Sequence, residues 1–314
     1  SGGLHGLERG DYENYHQFSE AKKEVENGQF FTPPKLCEFV TTCLRLSCHD
    51  LMADLTCGKG DFFNFMPAET NIYGCELDAK AASVAKFLYP EAAIECGDIR
   101  SYQPETRFDY VVGNPPFHLK WWTDSGKEIP SQMYYCMKAA ELLKPLGILA
   151  LIVPQSFLAD LFSDGGQIRD MERHFNFLGQ ILLPENAFSH LGIKCFPTKL
   201  QFWQKRGFMD SMKKLPYRTE PDFSLETDFD VQEEAGRAYE KCIAYAKSAL
   251  ENNQHSILLN LAKSHSASRE FQYQTQKLLY QIKAHPATKA LYAKCSEYLY
   301  RFYTQKQPDN MSYE

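Results

Sequence analysis

The chain has 314 residues, 44% of them hydrophobic and 14% aromatic, which is enough apolar material for one large domain, or a domain plus an extension. It has no internal repeat, no low-complexity tract and no apolar run long enough to span a bilayer. The formal charge of −6 gives no general basic coat for a polyanion, although residues 231–314 hold 11 Lys/Arg against 8 Asp/Glu while residues 1–230 hold 23 against 32. Without a leader pattern, the expectation is a soluble cytoplasmic protein with no membrane partner. Ten cysteines and nine histidines show no C-x-x-C pair or zinc spacing, so reduced packing cysteines and no metal are expected.

In chain order, residues 4–27 read as helical. Thr32 and Pro33 read as the N-cap and first position of a helix burying Leu36, Phe39, Val40, Cys43 and Leu44. Residues 51–55 read as a strand, followed by a turn containing Gly58 and Gly60. The two glycines let the backbone approach a ligand, and Asp54 at the strand end can meet a cation such as an ammonium group. A nicotinamide or flavin site is the competing reading, but it prefers G-x-G-x-x-G, and Phe63 stands where the third glycine belongs. The second strand, 71–76, ends on Glu76, at the place where nucleoside-binding sheets grip a ribose diol. Asp78 then caps a helix with Ala81, Val84, Ala85 and Leu88 in helical register. A third strand, 93–98, ends on Asp98, so Asp54, Glu76 and Asp98 follow one another at intervals of 22 residues, a comfortable strand-helix-strand spacing.

Residues 108–117 carry the most information. A buried, β-branched strand delivers Asn114-Pro115-Pro116-Phe117 at its C-terminal end. The turn suits the alkylation of a conjugated, planar nitrogen. An asparagine oxygen and the next proline carbonyl can accept its two hydrogens, and an aromatic ring offers a face to stack on. Downstream, Lys120, Trp121 and Trp122 form a cationic and aromatic group that can line a base or backbone channel or simply pack a loop. Met133, Cys136, Met137 and Ala140 mark a helix that stops at 144–147, before a buried strand at 148–153. Strands at 177–183 and 198–203 then form a closing pair. Residues 207–230 read as a linker, and further helices are expected at 238–250, 256–262, 270–284 and 288–302.

The tetrapeptide Asn114-Pro115-Pro116-Phe117 resembles the catalytic motif of amino-group methyltransferases that use S-adenosylmethionine (SAM), above all the adenine-N6 DNA enzymes. The first turn resembles their D-x-x-C-G-x-G-x-F cofactor loop, with Lys59 and Asp61 departing from the small residues usual there. The Gly-Gln-Phe-Phe-Thr-Pro segment at 28–33 resembles their cofactor segment, and the three motifs stand in the order of the gamma arrangement of restriction–modification enzymes. The resemblance covers about residues 28–206. It implies a doubly wound Rossmann-like α/β sheet, mainly parallel, closed by an antiparallel hairpin strand, to which the residues outside 28–206 add helical N- and C-terminal extensions. Its domains would be a helical segment 4–27, a catalytic domain 28–206, a linker 207–230 and a helical extension 231–314.

By the same resemblance SAM is held by Phe31, Thr32, Asp54, Gly58, Gly60, Glu76 and Asp98 and borders Asn114, with Asp98 accepting from the cofactor's adenine amine. A flipped-out adenine would meet Asn114, Pro115, Pro116 and Phe117, with Phe188 on its other face; Lys120 and Trp121, read from their charge and aromaticity just after the turn, are the further substrate-binding candidates. DNA is the implied partner, with base-sequence selection expected either from a separate recognition subunit or a downstream domain, or else as loose recognition by this chain itself. Methylation of adenine in RNA, of a protein glutamine amide or of cytosine N4 stays open, as does a non-catalytic SAM-binding subunit.

Overall fold

The computed structural model describes residues 9–19, 31–67, 70–117, 119–123, 126–189, 196–206 and 215–243. The chain divides into two compact units, Ser1–Ala246 and Lys247–Glu314, and the described residues belong to the first. In chain order its elements are α1 (Pro34–Leu44), β1 (Leu51–Asp54), β2 (Asn71–Glu76), α2 (Ala79–Leu88), β3 (Ala93–Cys96) and β4 (Phe108–Gly113). A hairpin follows, β5 (Lys120–Trp122) and β6 (Glu128–Pro130). Then come α3 (Ser131–Leu142), β7 (Leu143–Pro154), α4 (Gly165–His174), β8 (Phe175–Leu182), β9 (Thr198–Lys205), β10 (Phe223–Ser224) and α5 (Val231–Ala238).

Eight strands form one sheet in the order β3-β2-β1-β4-β7-β9-β8-β10, while β5 and β6 pair separately. Strand β9 runs antiparallel between β7 and β8, and every other pairing in the large sheet is parallel. The chain winds outward from β1 to β3, returns to β4 and winds the other way. The order therefore reverses between β1 and β4, where open α/β sheets leave a crevice beyond the strand ends.

Why these segments are strands is plain in β7. Ile148, Ala150 and Ile152 enter the core on one face, and Leu149, Leu151 and Val153 enter the core on the other. A strand covered on both faces needs an unbroken apolar run, and burial of each large side chain contributes about 1.5–3 kcal/mol. Helices α1, α2 and α5 cover the first face, and α3 and α4 cover the second. The doubly wound architecture expected from the sequence is the one observed.

Local expectations need four corrections. Helix α1 begins one residue late, with Pro33 at the N-cap and Pro34 inside the first turn, and no side chain caps it. Thr32 is thereby released for another role. On α2 the buried residues are Ala82 and Ala85, whereas Val84 and Leu88 are exposed. That helix lies over the β2–β3 edge, and only a narrow strip of small side chains meets the sheet. Strand β7 starts at Leu143, one residue ahead of the 144–147 stretch read as a helix stop, and runs through it. An irregularity in its pairing with β4 and a left-handed Leu146 absorb the extra residues. Finally, the structure differs from a linker over 215–230. Tyr217 is buried against Phe177 and Trp203, and β10 pairs with β8. Asp230 caps α5, which starts ahead of the first predicted C-terminal helix. The helices expected at 256–262, 270–284 and 288–302 lie outside the described residues. No helix among the described residues is long and apolar enough to cross a membrane.

Candidate active site

The tips of β1, β2 and β4 and the segment before α1 converge around the switch point. At the tip of β1, Asp54 is 3% exposed, and its Oδ1 accepts from the Thr56 amide at 3.0 Å. Burial, aided by Glu76 and Asp61, pushes its carboxyl up to about 7, against the opposing pull of the Thr56 amide and the Tyr135 hydroxyl. At the tip of β2, Glu76 accepts from the Gly58 amide at 2.7 Å and the Asp78 amide at 2.8 Å. The first contact folds the Gly-rich turn over the end of the sheet. Gly58 and Gly60 both adopt left-handed φ, +56° and +87°. A Cβ at Gly60 would lie 2.7 Å from the Tyr89 ring and 2.8 Å from Phe63, so the turn requires glycine there.

Asp98 lies just past β3. Its carboxylate is held by the guanidinium of Arg100, which keeps it below the usual carboxylate range. Arg100 was not among the expected site residues, although its D-x-R spacing from Asp98 is a local signal for such a pair.

At the tip of β4 the Asn-Pro-Pro-Phe turn is pinned from two sides. Asn114 Nδ2 donates to Thr32 Oγ1 at 3.1 Å, which brings the segment before α1 onto the turn and directs Oδ1 away from Thr32. On the other side, the Ser131 hydroxyl donates to the Pro116 carbonyl at 2.5 Å, and the Gln132 amide reaches the same oxygen at 3.4 Å. Gly113 is dictated by packing, because a Cβ there would collide with the phenol of Tyr135. Gly113→Ala should destabilise the protein by about 1–3 kcal/mol, read as a lower denaturation midpoint with unchanged slope.

The aromatic residues fall differently from the sequence reading. Phe117 is 1% exposed and stacks on Phe196, with ring centroids 5.2 Å apart and planes 21° from parallel. Phe188 is also buried, in the same core cluster. Thus Phe196, absent from the sequence reading, lies on the Phe117 ring. Its position after a loop and before a proline gave no periodic signal.

Lys120 and Trp121 belong to the β5–β6 hairpin. Lys120 lies 3.8 Å from Glu128, an exposed pair of little energetic weight, and Trp121 packs edge-on against Tyr134 at 5.6 Å. The exposed indole is that of Trp122. No group of three or more potential metal ligands occurs among the described residues.

The crevice suits SAM. Buried acids stand where an amino group and a ribose diol would lie, two left-handed glycines open the backbone, and the buried Thr56 Oγ1 has no hydrogen-bond partner within the described residues. An open sheet of this order, with one reversed strand and acids at the tips of β1 and β2, defines the class of SAM-dependent methyltransferases. The chain belongs to the N-6 DNA methylase family, which it matches over residues 11–207.

Defense against restriction protein B of Escherichia phage P1 is 25% identical over 174 residues, 52% of this chain and 8% of the phage protein. Trans-aconitate 2-methyltransferase of Escherichia coli O1:K1 is 29% identical over 113 residues, 35% of this chain and 41% of that enzyme. The chain spans less than half the length of these curated relatives. Among solved structures, the type I restriction-modification system methyltransferase subunit from Streptococcus thermophilus is 20% identical, with a TM-score of 0.53. The match covers 68% of this chain and 53% of that one, and the likeness is one of fold.

Proposed function

We propose that this chain transfers a methyl group from SAM to the N6 amino group of a flipped-out adenine in DNA. The observation that carries this reading is the Asn114 side chain at the tip of β4, oriented by Thr32 and framed by Pro115 and Pro116. The family match over 11–207 supports the same reading.

SAM supplies an electrophilic methyl group on a sulfonium. Glu76 would hold its ribose diol, Asp54 its amino group, and Phe31 and Thr32 its methionine portion, while Gly58 and Gly60 give the backbone room. The adenine amine would share the Asp98 carboxylate with Arg100. Asn114 Oδ1 and the Pro115 carbonyl would accept the two hydrogens of the target amine. These bonds weaken conjugation of the nitrogen lone pair with the ring as the new C–N bond forms and the C–S bond breaks. The surplus proton then leaves by way of the acceptors to solvent. Phe117 would supply the stacking face once the ring of Phe196 separates from it, and Phe196, already stacked on Phe117, would cover the other face of the base in place of Phe188. Lys120 and the exposed Trp122 stand in the hairpin that follows the turn, available to the DNA strand. We assign base-sequence selection to a separate subunit or a further domain, in keeping with the type I methyltransferase subunit that shares the fold.

The testing experiment is transfer of labelled methyl from SAM to unmodified genomic DNA, followed by nucleoside analysis. N6-methyladenine as the labelled product supports the reading. Label found only in RNA or protein, or SAM binding without any transfer, overturns it. Thr32→Val keeps the shape but removes the acceptor of the Asn114 amide. It should slow transfer by about tenfold, with Thr32→Ser restoring most of the rate, as measured by turnover at saturating SAM.

A further inference from the structure

Tyr135 is completely buried on α3 and is not part of the chemistry above. Its hydroxyl donates to the Val112 carbonyl at 2.6 Å and accepts from the Leu55 amide at 3.0 Å. The same proton is shared more weakly with Oδ1 of Asp54, which accepts at 3.4 Å. The last pair in the β1–β4 ladder is Asp54↔Val112. The phenol oxygen therefore bridges the two strands just where their own pairing ends and the crevice opens. Three residues beyond Leu55 lies Gly58 of the cofactor turn, and two beyond Val112 lies Asn114.

We propose that Tyr135 is a positioning residue for methyl transfer, its hydroxyl fixing the spacing between the cofactor-bearing end of β1 and the acceptor-bearing end of β4. Packing alone gives no reason for the oxygen. A phenylalanine would fill the same space without the penalty of burying a hydroxyl, and the absence of a side chain at Gly113 admits either ring. The oxygen supplies a bond to each strand at the switch point, where parallel strands begin to diverge. A shift of a few tenths of an ångström there changes the approach of the amine to the methyl carbon, to which an in-line transfer is sensitive. This inference rests on the methyl-transfer reading.

The test is Tyr135→Phe in the full chain, with turnover on genomic DNA, KM for DNA and calorimetric SAM affinity measured well below the unfolding transition. Turnover should fall at least about tenfold while SAM affinity near pH 8 stays within about threefold of the parent. A second readout is the pH profile of SAM binding. Asp54 is faced by Glu76 from β2, Asp61 and Cys57 from the cofactor turn, Cys37 from α1, Cys75 from β2 and Tyr135 from α3. The hydroxyl opposes the rise in the Asp54 pKa, so its loss should move the acid limb of SAM binding to higher pH.

A lower melting temperature with parental turnover and an unmoved pH profile would mean a purely structural tyrosine and overturn the proposal. Should Tyr135→Phe fail to fold, 3,5-difluorotyrosine at this position keeps the shape but weakens the oxygen as an acceptor. It should give a smaller loss in the same direction, and parental turnover would equally overturn the proposal. A parent that methylates neither DNA, RNA nor protein removes the underlying reading as well, whereas an active parent matched by Tyr135→Phe removes only the role of Tyr135.

Discussion

Asn114→Ala should lower methyl transfer by at least about a hundredfold, the scale of losing a preorganised group that stabilises charge developing in the transition state. SAM affinity should remain within about threefold, because Asn114 acts on the acceptor nitrogen rather than holding the donor. Turnover with labelled SAM and calorimetry on the same preparation measure both quantities. Parental turnover in the variant would eliminate the proposed chemistry. Loss of SAM binding together with turnover would instead mean that Asn114 supports the crevice, through Thr32, more than it serves the amine.

The second large effect concerns Asp54, whose burial creates two pH dependences of opposite sign. The folded-state pKa, raised to about 7, lies above the ordinary carboxyl value. Between about pH 4 and 7 the folded protein therefore holds a proton that the unfolded chain has released. The contribution of Asp54 to the stability of the cofactor-free protein falls as pH rises through this window and stays low above it. SAM binding runs the other way, because an ammonium group is attracted only to the ionised carboxylate. Affinity should fall by about tenfold per pH unit below 7, where the carboxylate must first lose its proton. Asp54→Asn should abolish that dependence and weaken SAM binding near pH 8. The variant should nevertheless melt higher than the cofactor-free parent at that pH, since it no longer buries a charge. Calorimetric titration across the pH range and thermal melts at its two ends decide both signs. A pH-independent affinity in the parent would remove Asp54 from the amino-group role.

Much of this architecture is legible locally. The run from Ile148 to Val153 requires a strand covered on both faces. Asp78 caps its helix as expected, with its side chain accepting from the Lys80 amide. Asp54 and Glu76 stand at adjacent strand tips because a parallel sheet delivers every C-terminal strand end to the same edge. Local pattern is ambiguous where a residue has two uses of similar local quality. Thr32 satisfies the local preference for a helix cap, but Pro34 also suits the first turn, so the helix starts later and the hydroxyl serves Asn114. Val84 and Leu88 have the spacing of a buried stripe. Which side of a helix is covered depends on its place over the sheet, and α2 lies over an edge.

The sequence by itself determined the fold class, the acids at the strand tips and the Asn-Pro-Pro-Phe turn at the end of β4. Those features arise from local periodicity and from motifs whose parts are close along the chain. Only the tertiary structure brought Thr32 to Asn114 across 82 residues and Tyr135 to Leu55 across 80. Only the tertiary structure also set Phe196 on Phe117 and drew Tyr217 into the core. The physical reason is that periodicity records whether a side chain is buried, not which partner it meets. A tyrosine on an apolar helix face and a phenylalanine beyond a loop look like ordinary core residues until the packing of the sheet fixes what lies opposite them.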